Sequence, residues 1–181
     1  MANRQHLRCL LDEGKLAWNR WREDEPEMRP DLTGVDLHGQ DLREVNFTGA
    51  QLRGVDFRGA NLSYAYFFGA NLEKANLSGA KLEGAHLIGA FLTEACLTQA
   101  DCSQALFLMA QIRAADCQEV NFQDADLRDA DFRNANLIKA QFQRADLTKV
   151  NFEGAVLDGA NLENCIGFYG LKKTMVSQNG G

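Results

Sequence analysis

From Leu32 to Leu162 an apolar residue stands at every fifth position without a break. These 27 positions hold 16 Leu, 8 Phe, 2 Cys and 1 Ile. Two residues before each lies a second register, Pro30 to Ala160, with 20 Ala and 5 Val; only Pro30 and Gln40 depart from it. The residue between the two registers is mostly Asp or Asn, as at Asp36, Asn46, Asp56, Asn61, Asn71 and Asn76. A period of five matches neither a helix, at 3.6, nor a strand, at 2. It describes a chain that turns a corner every five residues. Within each unit the large and small residues, two apart, point the same way, as in a short extended segment. The other three positions face water. Eleven glycines between Gly34 and Gly159 all fall two residues after the large one, where a turn asks for a positive φ. From Glu94 to Lys149 that slot holds no Gly, which predicts a different corner geometry there.

The A(D/N)LXX pattern, clearest in GANLEKANLSGAKLEGA (residues 69–85), resembles the pentapeptide-repeat family over residues 30–164, about three quarters of the chain. The resemblance implies an all-β solenoid: a right-handed quadrilateral β-helix with four repeats to a coil. Twenty-seven repeats then make about seven coils, a rod roughly 30 Å long at the ~4.8 Å spacing of stacked strands. Family members are often found in bacterial, particularly cyanobacterial, cytosol.

A stacked rod exposes two sheet-like ends that need covering. Residues 1–29 are expected to form a short α-helical N-terminal cap. Leu7, Leu10 and Leu11 share one helical face, Leu16, Trp18 and Trp21 continue the apolar character past Gly14, and Pro26 and Pro30 close the segment. At the other end the period fails after Leu162. Residues 165–181 are expected to be a C-terminal cap and flexible tail, with Ile166, Phe168, Tyr169 and Leu171 covering the last coil.

Composition narrows the function by exclusion. The net charge of -6 argues against a direct grip on nucleic acid. No apolar run approaches a membrane span, and the first ten residues lack the apolar centre of a secretory signal. Five scattered cysteines suggest neither a disulfide framework nor a zinc site, so a reduced, cytoplasmic protein is expected. No phosphate loop, metal constellation or nucleophile elbow is present, and a rod with a filled axis offers no ligand-sized pocket. The chain is therefore expected not to be an enzyme, with no cofactor, no metal, no membrane and no small-molecule substrate. Some members of the resembled family mimic duplex DNA and act on type II topoisomerases. Here residues 30–164 carry 19 acids and 11 bases, but nine of those acids occupy the slot between the inward registers. In that slot Asp serves the scaffold by bonding local backbone.

One face breaks the pattern. Stacked 20 residues apart, its outward positions read Asn46, Thr48; Tyr66, Phe68; His86, Ile88; Leu106, Leu108, Met109; then Asp126, Arg128. Of 81 outward slots in the repeat region 12 are apolar, and six of these lie on this face. The candidate interaction patch is Tyr64, Tyr66, Phe68, His86, Ile88, Phe91, Leu106, Leu108 and Met109. Three arrangements account for it: the chain's own C-terminal tail covers it, a second copy or another protein covers it, or its stacked side chains only brace neighbouring strands. The function expected is a non-enzymatic scaffold for protein–protein contact, through a protein partner or self-association. The alternative is a DNA-mimicking regulator of a topoisomerase.

Overall fold

The computed structural model describes residues 3–168. From Asp31 onward each side of a coil meets the same side of the next coil by a single parallel bridge between residues 20 apart, beginning with Asp31 and Gln51 and ending with Asp146 and Ile166. A turn every five residues and a bridge every 20 make four sides to a coil. The ladder runs both ways: Leu32 donates its N–H to the Gln51 carbonyl (2.9 Å), and Gln51 donates to that of Pro30 (2.7 Å). The corners close on themselves, as where the Val35 N–H reaches the Leu32 carbonyl at 3.1 Å; the corner at Ala114 lacks this bond. The large register and the Ala/Val register form one continuous buried core along the axis. This is a repeat solenoid, and its lumen is filled.

The polar slot between the two registers has a local task. All 17 Asp and Asn residues in it accept a hydrogen bond from the backbone N–H two residues on, as Asp31 does from Thr33 and Asn61 from Ser63. That N–H points outward and finds no ladder partner, so the short side chain satisfies it and fixes the turn.

The corners correct one expectation. Between Glu94 and Lys149, where glycine is absent, the geometry does not change. Every corner residue there keeps φ between 51° and 60°, from Ala114 at 51° to Arg144 at 60°. The ladder holds them: Glu94 N–H donates to the Arg113 carbonyl and Ala114 N–H to that of Arg133, both at 2.9 Å. Left-handed backbone costs an L-residue roughly 1–2 kcal/mol, which exceeds the roughly 0.5–1 kcal/mol that extra chain freedom costs a glycine. Ala114→Gly is therefore expected to stabilise the fold by about 0.5–1 kcal/mol, read as a raised denaturation midpoint. A lowered midpoint would mean that the corner carries no strain.

Two helices precede the solenoid, α1 (Arg4–Leu11) and α2 (Gly14–Asp24). Asn3 starts α1, its side chain accepting from the Gln5 N–H at 2.9 Å. The helices seat on the first coil by supplying hydrogen bonds that a preceding coil would otherwise make. Trp18 Nε1 donates to the Asn46 carbonyl (2.9 Å), Asn19 accepts from the Asn46 N–H (2.9 Å), and Arg22 donates to the Thr48 carbonyl (3.0 Å). On the adjoining side, Asn3 N–H donates to the Asp31 carbonyl, and Asp31 N–H donates to His6 Nδ1 at 3.1 Å. Burial pushes the His6 imidazole below its ordinary value, with the Asp31 carboxylate opposing the shift. Leu10 and Trp18 join the core, and Leu7, Cys9 and Trp21 pack partly against it. Leu11 and Leu16 do not: Leu16 is 82% exposed. The chain breaks at Asp12–Glu13 and restarts at Gly14, so the apolar phase of α1 is not carried into α2.

At the far end Phe168 packs edge-on against Phe152, ring centres 6.0 Å apart, while Ile166 is exposed. Tyr169 and Leu171, also expected to cover that end, lie outside the described residues.

Candidate interaction surface

The ladder brings the predicted residues into one column. Tyr66 bridges to Asn46 on one side and His86 on the other, His86 to Leu106, and Leu106 to Asp126. Phe68, Ile88 and Leu108 run beside them, two residues on. Phe91 stands around the corner, bridged to Asn71 and Gln111. Tyr64, Tyr66, Phe68, Phe91 and Met109 are exposed, Phe68 and Met109 by 58% and 60%; His86, Ile88, Leu106 and Leu108 are half-buried. The Tyr66 and His86 rings meet edge to face at 4.9 Å. Tyr64, at a corner with φ 59°, lays its ring over Gly84, where an added Cβ would stand 2.5 Å from Tyr64 Cε1. The nine residues thus form one surface that begins below Asn46 and stops at Asp126.

This surface gives up something the scaffold uses elsewhere. At Tyr66, His86 and Leu106 the polar slot holds no Asp or Asn, so Phe68, Ile88 and Leu108 lose the local side-chain acceptor for their N–H groups. A hydrogen bond of this kind is worth about 0.5–1.5 kcal/mol. Three successive coils forgo it on this face, whereas Gln51, Lys81, Phe91, Cys96, Gln111, Gln141 and Val156 forgo it elsewhere singly or, at Phe91 and Gln111, in a pair.

The helical segment frames the surface, which the repeat pattern could not announce. Asn19 and Glu23 border Tyr66 beside Asn46 and Thr48. Pro26–Arg29 walls an open groove of about 620 Å³ whose floor and far wall include Gly49, Gly69, Phe68, Phe91, Asn71 and Glu73. The groove exists because the corner column runs Gly49, Gly69, Gly89 before Met109. That run of glycines was readable from the 20-residue stacking; the wall opposite depends on Arg22, whose guanidinium reaches the carbonyls of Glu25, Met28 and Thr48.

Elsewhere the surface is a lattice of ion pairs. Nine of the 11 bases between residues 30 and 164 lie within 4 Å of an acid, among them Arg53–Glu73 (3.3 Å), Lys74–Glu94 (3.2 Å) and Arg144–Asp124 (2.7 Å). At the lower edge of the patch Arg128 grips Asp126 through two nitrogens, at 2.8 and 2.6 Å, and holds its carboxyl below the usual range. His38 pairs with Asp36, far from His86 in the ladder. Burial pushes the thiols of Cys102 and Cys117 up, so both behave as small core residues. Among the described residues no group of three or more His, Cys, Asp or Glu could hold a metal ion, and no helix is long and apolar enough to cross a membrane.

A filled repeat solenoid bearing one apolar face is thus the kind of protein in hand. Its repeats match the family model for pentapeptide repeats in eight copies, over residues 31–67, 65–104, 115–154 and 145–167. The chain belongs to the pentapeptide-repeat family. Among solved structures it is similar to a pentapeptide repeat protein, Rfr23, from the cyanobacterium Cyanothece 51142, at 25% identity over 82% of this chain and 96% of that one, TM-score 0.39. It is also similar to HetL from the cyanobacterium Nostoc sp. strain PCC 7120, a pentapeptide repeat protein involved in heterocyst differentiation regulation, at 24% identity over 76% and 85%, TM-score 0.27. A third likeness is to QnrB1, a plasmid-mediated fluoroquinolone resistance protein, at 17% identity over 76% and 91%, TM-score 0.31. No curated protein matches the sequence.

Proposed function

We propose that this chain is a non-enzymatic cytoplasmic scaffold for protein–protein contact. In this reading it is a right-handed four-sided β-helix of about seven coils, capped by its N-terminal helices, and it works through the face from Tyr66 to Met109. One observation carries the reading. Every Asp or Asn of the polar slot makes its local bond, yet three consecutive rows of one face replace those residues with Tyr66, His86 and Leu106. A scaffold selected for stability alone gains from that exchange only stacking contacts such as Tyr66 on His86, whereas a contact surface also gains desolvation area.

The exchange is reversible by mutation. Tyr66→Asn with Leu106→Asn restores two side-chain acceptors and removes two apolar groups. Stability is expected to stay within about 1 kcal/mol of the native chain, because the regained bonds offset the lost Tyr66–His86 ring contact. Contact should be lost. A photo-crosslinking side chain placed at Phe68 in cells is expected to give protein adducts in the native background and none in the double variant. The same probe at Arg58, on another side, is the control. Absence of adducts at Phe68, or adducts that survive the double variant, would sink the reading.

The second reading, mimicry of duplex DNA toward a type II topoisomerase, draws on the net charge of -8 over residues 30–164, from 11 bases less 19 acids. The ion-pair lattice weakens it, since most bases are interleaved with the acids rather than segregated from them. Supercoiling assays without inhibition or protection at micromolar protein would remove it.

A further inference from the structure

We infer that the occupant of this face is a second copy of the same chain, docked antiparallel about a twofold axis that crosses the rod near Gly89. The inference rests on the contact-surface reading above and adds the partner and its geometry. The patch carries both halves of a knob-and-hole pair on one corner column. Met109 is the knob: it is 60% exposed and follows three glycines of that column, Gly49, Gly69 and Gly89. The hole is the groove over Gly49 and Gly69, between Phe68, Phe91 and the Pro26–Arg29 wall. A twofold interface is isologous, so whatever projects at one distance from the axis must meet a depression at the same distance on the other side.

Knob and hole satisfy that condition. The groove is centred between Gly49 and Gly69, and Met109 stands some two and a half coils away, roughly 12 Å at the spacing of stacked strands. Their midpoint falls close to Gly89. An axis lying in the interface and across the rod reverses the rod direction while keeping each column opposite itself. Each Met109 then enters the partner copy's groove, and the Tyr66 row faces the Leu106 row. Methionine suits the task, since its unbranched, polarisable side chain fills irregular gaps. The groove's acidic lip, Glu27, comes toward Arg113, which stands four residues past Met109, is exposed and carries Asp131 at 2.6 Å on its Nε, leaving its other guanidinium nitrogens for Glu27. A parallel pair, with its axis along the rod, would instead set Met109 opposite the corner that carries Gln104 in the other copy, and leave both grooves empty. The face is narrow, so the buried area falls at the low end for specific interfaces, where weak and transient encounters lie.

Sedimentation equilibrium on the native chain is expected to show a dimer by about 100 µM, a weak association on the affinity scale. Gly69→Lys places a side chain in the hole without replacing any of the nine patch residues, and should leave a monomer. Gly79→Lys is its control. Both glycines have positive φ (60° and 63°) and open space around the position of a Cβ, and Lys74 and Lys139 already occupy such corners. Gly79→Lys should dimerise as the native chain does. Orientation is read by disulfide trapping, in a background with Cys9, Cys96 and Cys165 changed to alanine. A mixture of Met109→Cys and Gly69→Cys chains should trap the mixed pair, and neither alone should trap its own kind. A native monomer at 100 µM, equal effects of the two lysines, or Met109→Cys pairing with itself would each overturn the inference. If the native chain is monomeric while Phe68 still gives adducts with other proteins, this inference fails and the contact-surface reading stands. If Phe68 gives no adducts at all, both fail.

Discussion

Replacement of Trp18 by alanine is expected to cost about 3–5 kcal/mol, the usual range for emptying a fully buried aromatic site. Trp18 has no exposed surface, meets Trp21 edge-on at 5.2 Å and lies 5.8 Å from Phe47, the first phenylalanine of the axis. Its indole N–H also holds the Asn46 carbonyl, which belongs to the open ladder of the first coil. Alanine removes the ring and leaves that carbonyl without a donor. Phenylalanine at the same position keeps most of the ring and loses only the hydrogen bond, so it should cost about 1–3 kcal/mol. Denaturant unfolding followed by the remaining Trp21 fluorescence measures both. Hydrogen exchange at the Asn46 amide, held by Asn19, should quicken in the alanine variant. Equal, small losses in the two variants would mean that the helices rest on the solenoid without stabilising it.

The same variant bears on function. Arg22, one helical turn beyond Trp18, ties Pro26–Arg29 to the solenoid through the Met28 and Thr48 carbonyls. Loosening α2 therefore opens one wall of the groove beside Phe68. Trp18→Ala should weaken association as well as folding, although Trp18 is not one of the nine patch residues. Stability and contact are coupled through a single helix.

How much of this was legible in the sequence depends on whether a feature repeats. The inward registers and the backbone-bonding role of the polar slot follow from a pattern sampled 27 times, and the 20-residue stacking of Tyr66 on His86 and Leu106 from the four repeats to a coil that the family resemblance implies. The corners from Glu94 to Lys149 misled because positive φ was equated with glycine. There the ladder hydrogen bond on each side of the corner imposes the conformation, and side chains such as Lys139 and Met109 accept its cost. Leu11 and Leu16 misled for the opposite reason: a short helix pair gives too few turns to fix phase across the break before Gly14. The groove was not legible at all. It needs Pro26–Arg29 placed against Phe68 and Phe91, and that placement is decided by the buried guanidinium of Arg22, a residue that composition alone reads as solvated.

Phe122 tests whether the axis is a jigsaw or a set of tolerant slots. Its ring stacks on Phe142 at 5.2 Å and meets Phe107 and Phe132 edge-on at 5.6 and 5.7 Å. One coil below, the same inward position is Cys102, a small residue that leaves room for a large one above. Phe122→Ala opens a cavity between three rings and should cost about 3–5 kcal/mol. Phe122→Leu should cost far less, about 1 kcal/mol, because leucine already fills 16 of the 27 equivalent positions. Each coil touches only its neighbours, so the damage should stay local. Hydrogen exchange is expected to quicken around residues 102–142 while the coil beneath Trp18 keeps its protection. If leucine proves as costly as alanine, the slots are individually fitted and the five-residue pattern overstates their equivalence. If exchange quickens along the whole solenoid, the coils fold as one unit, and a lesion at Phe122 reaches the Tyr66 face as readily as one beside it.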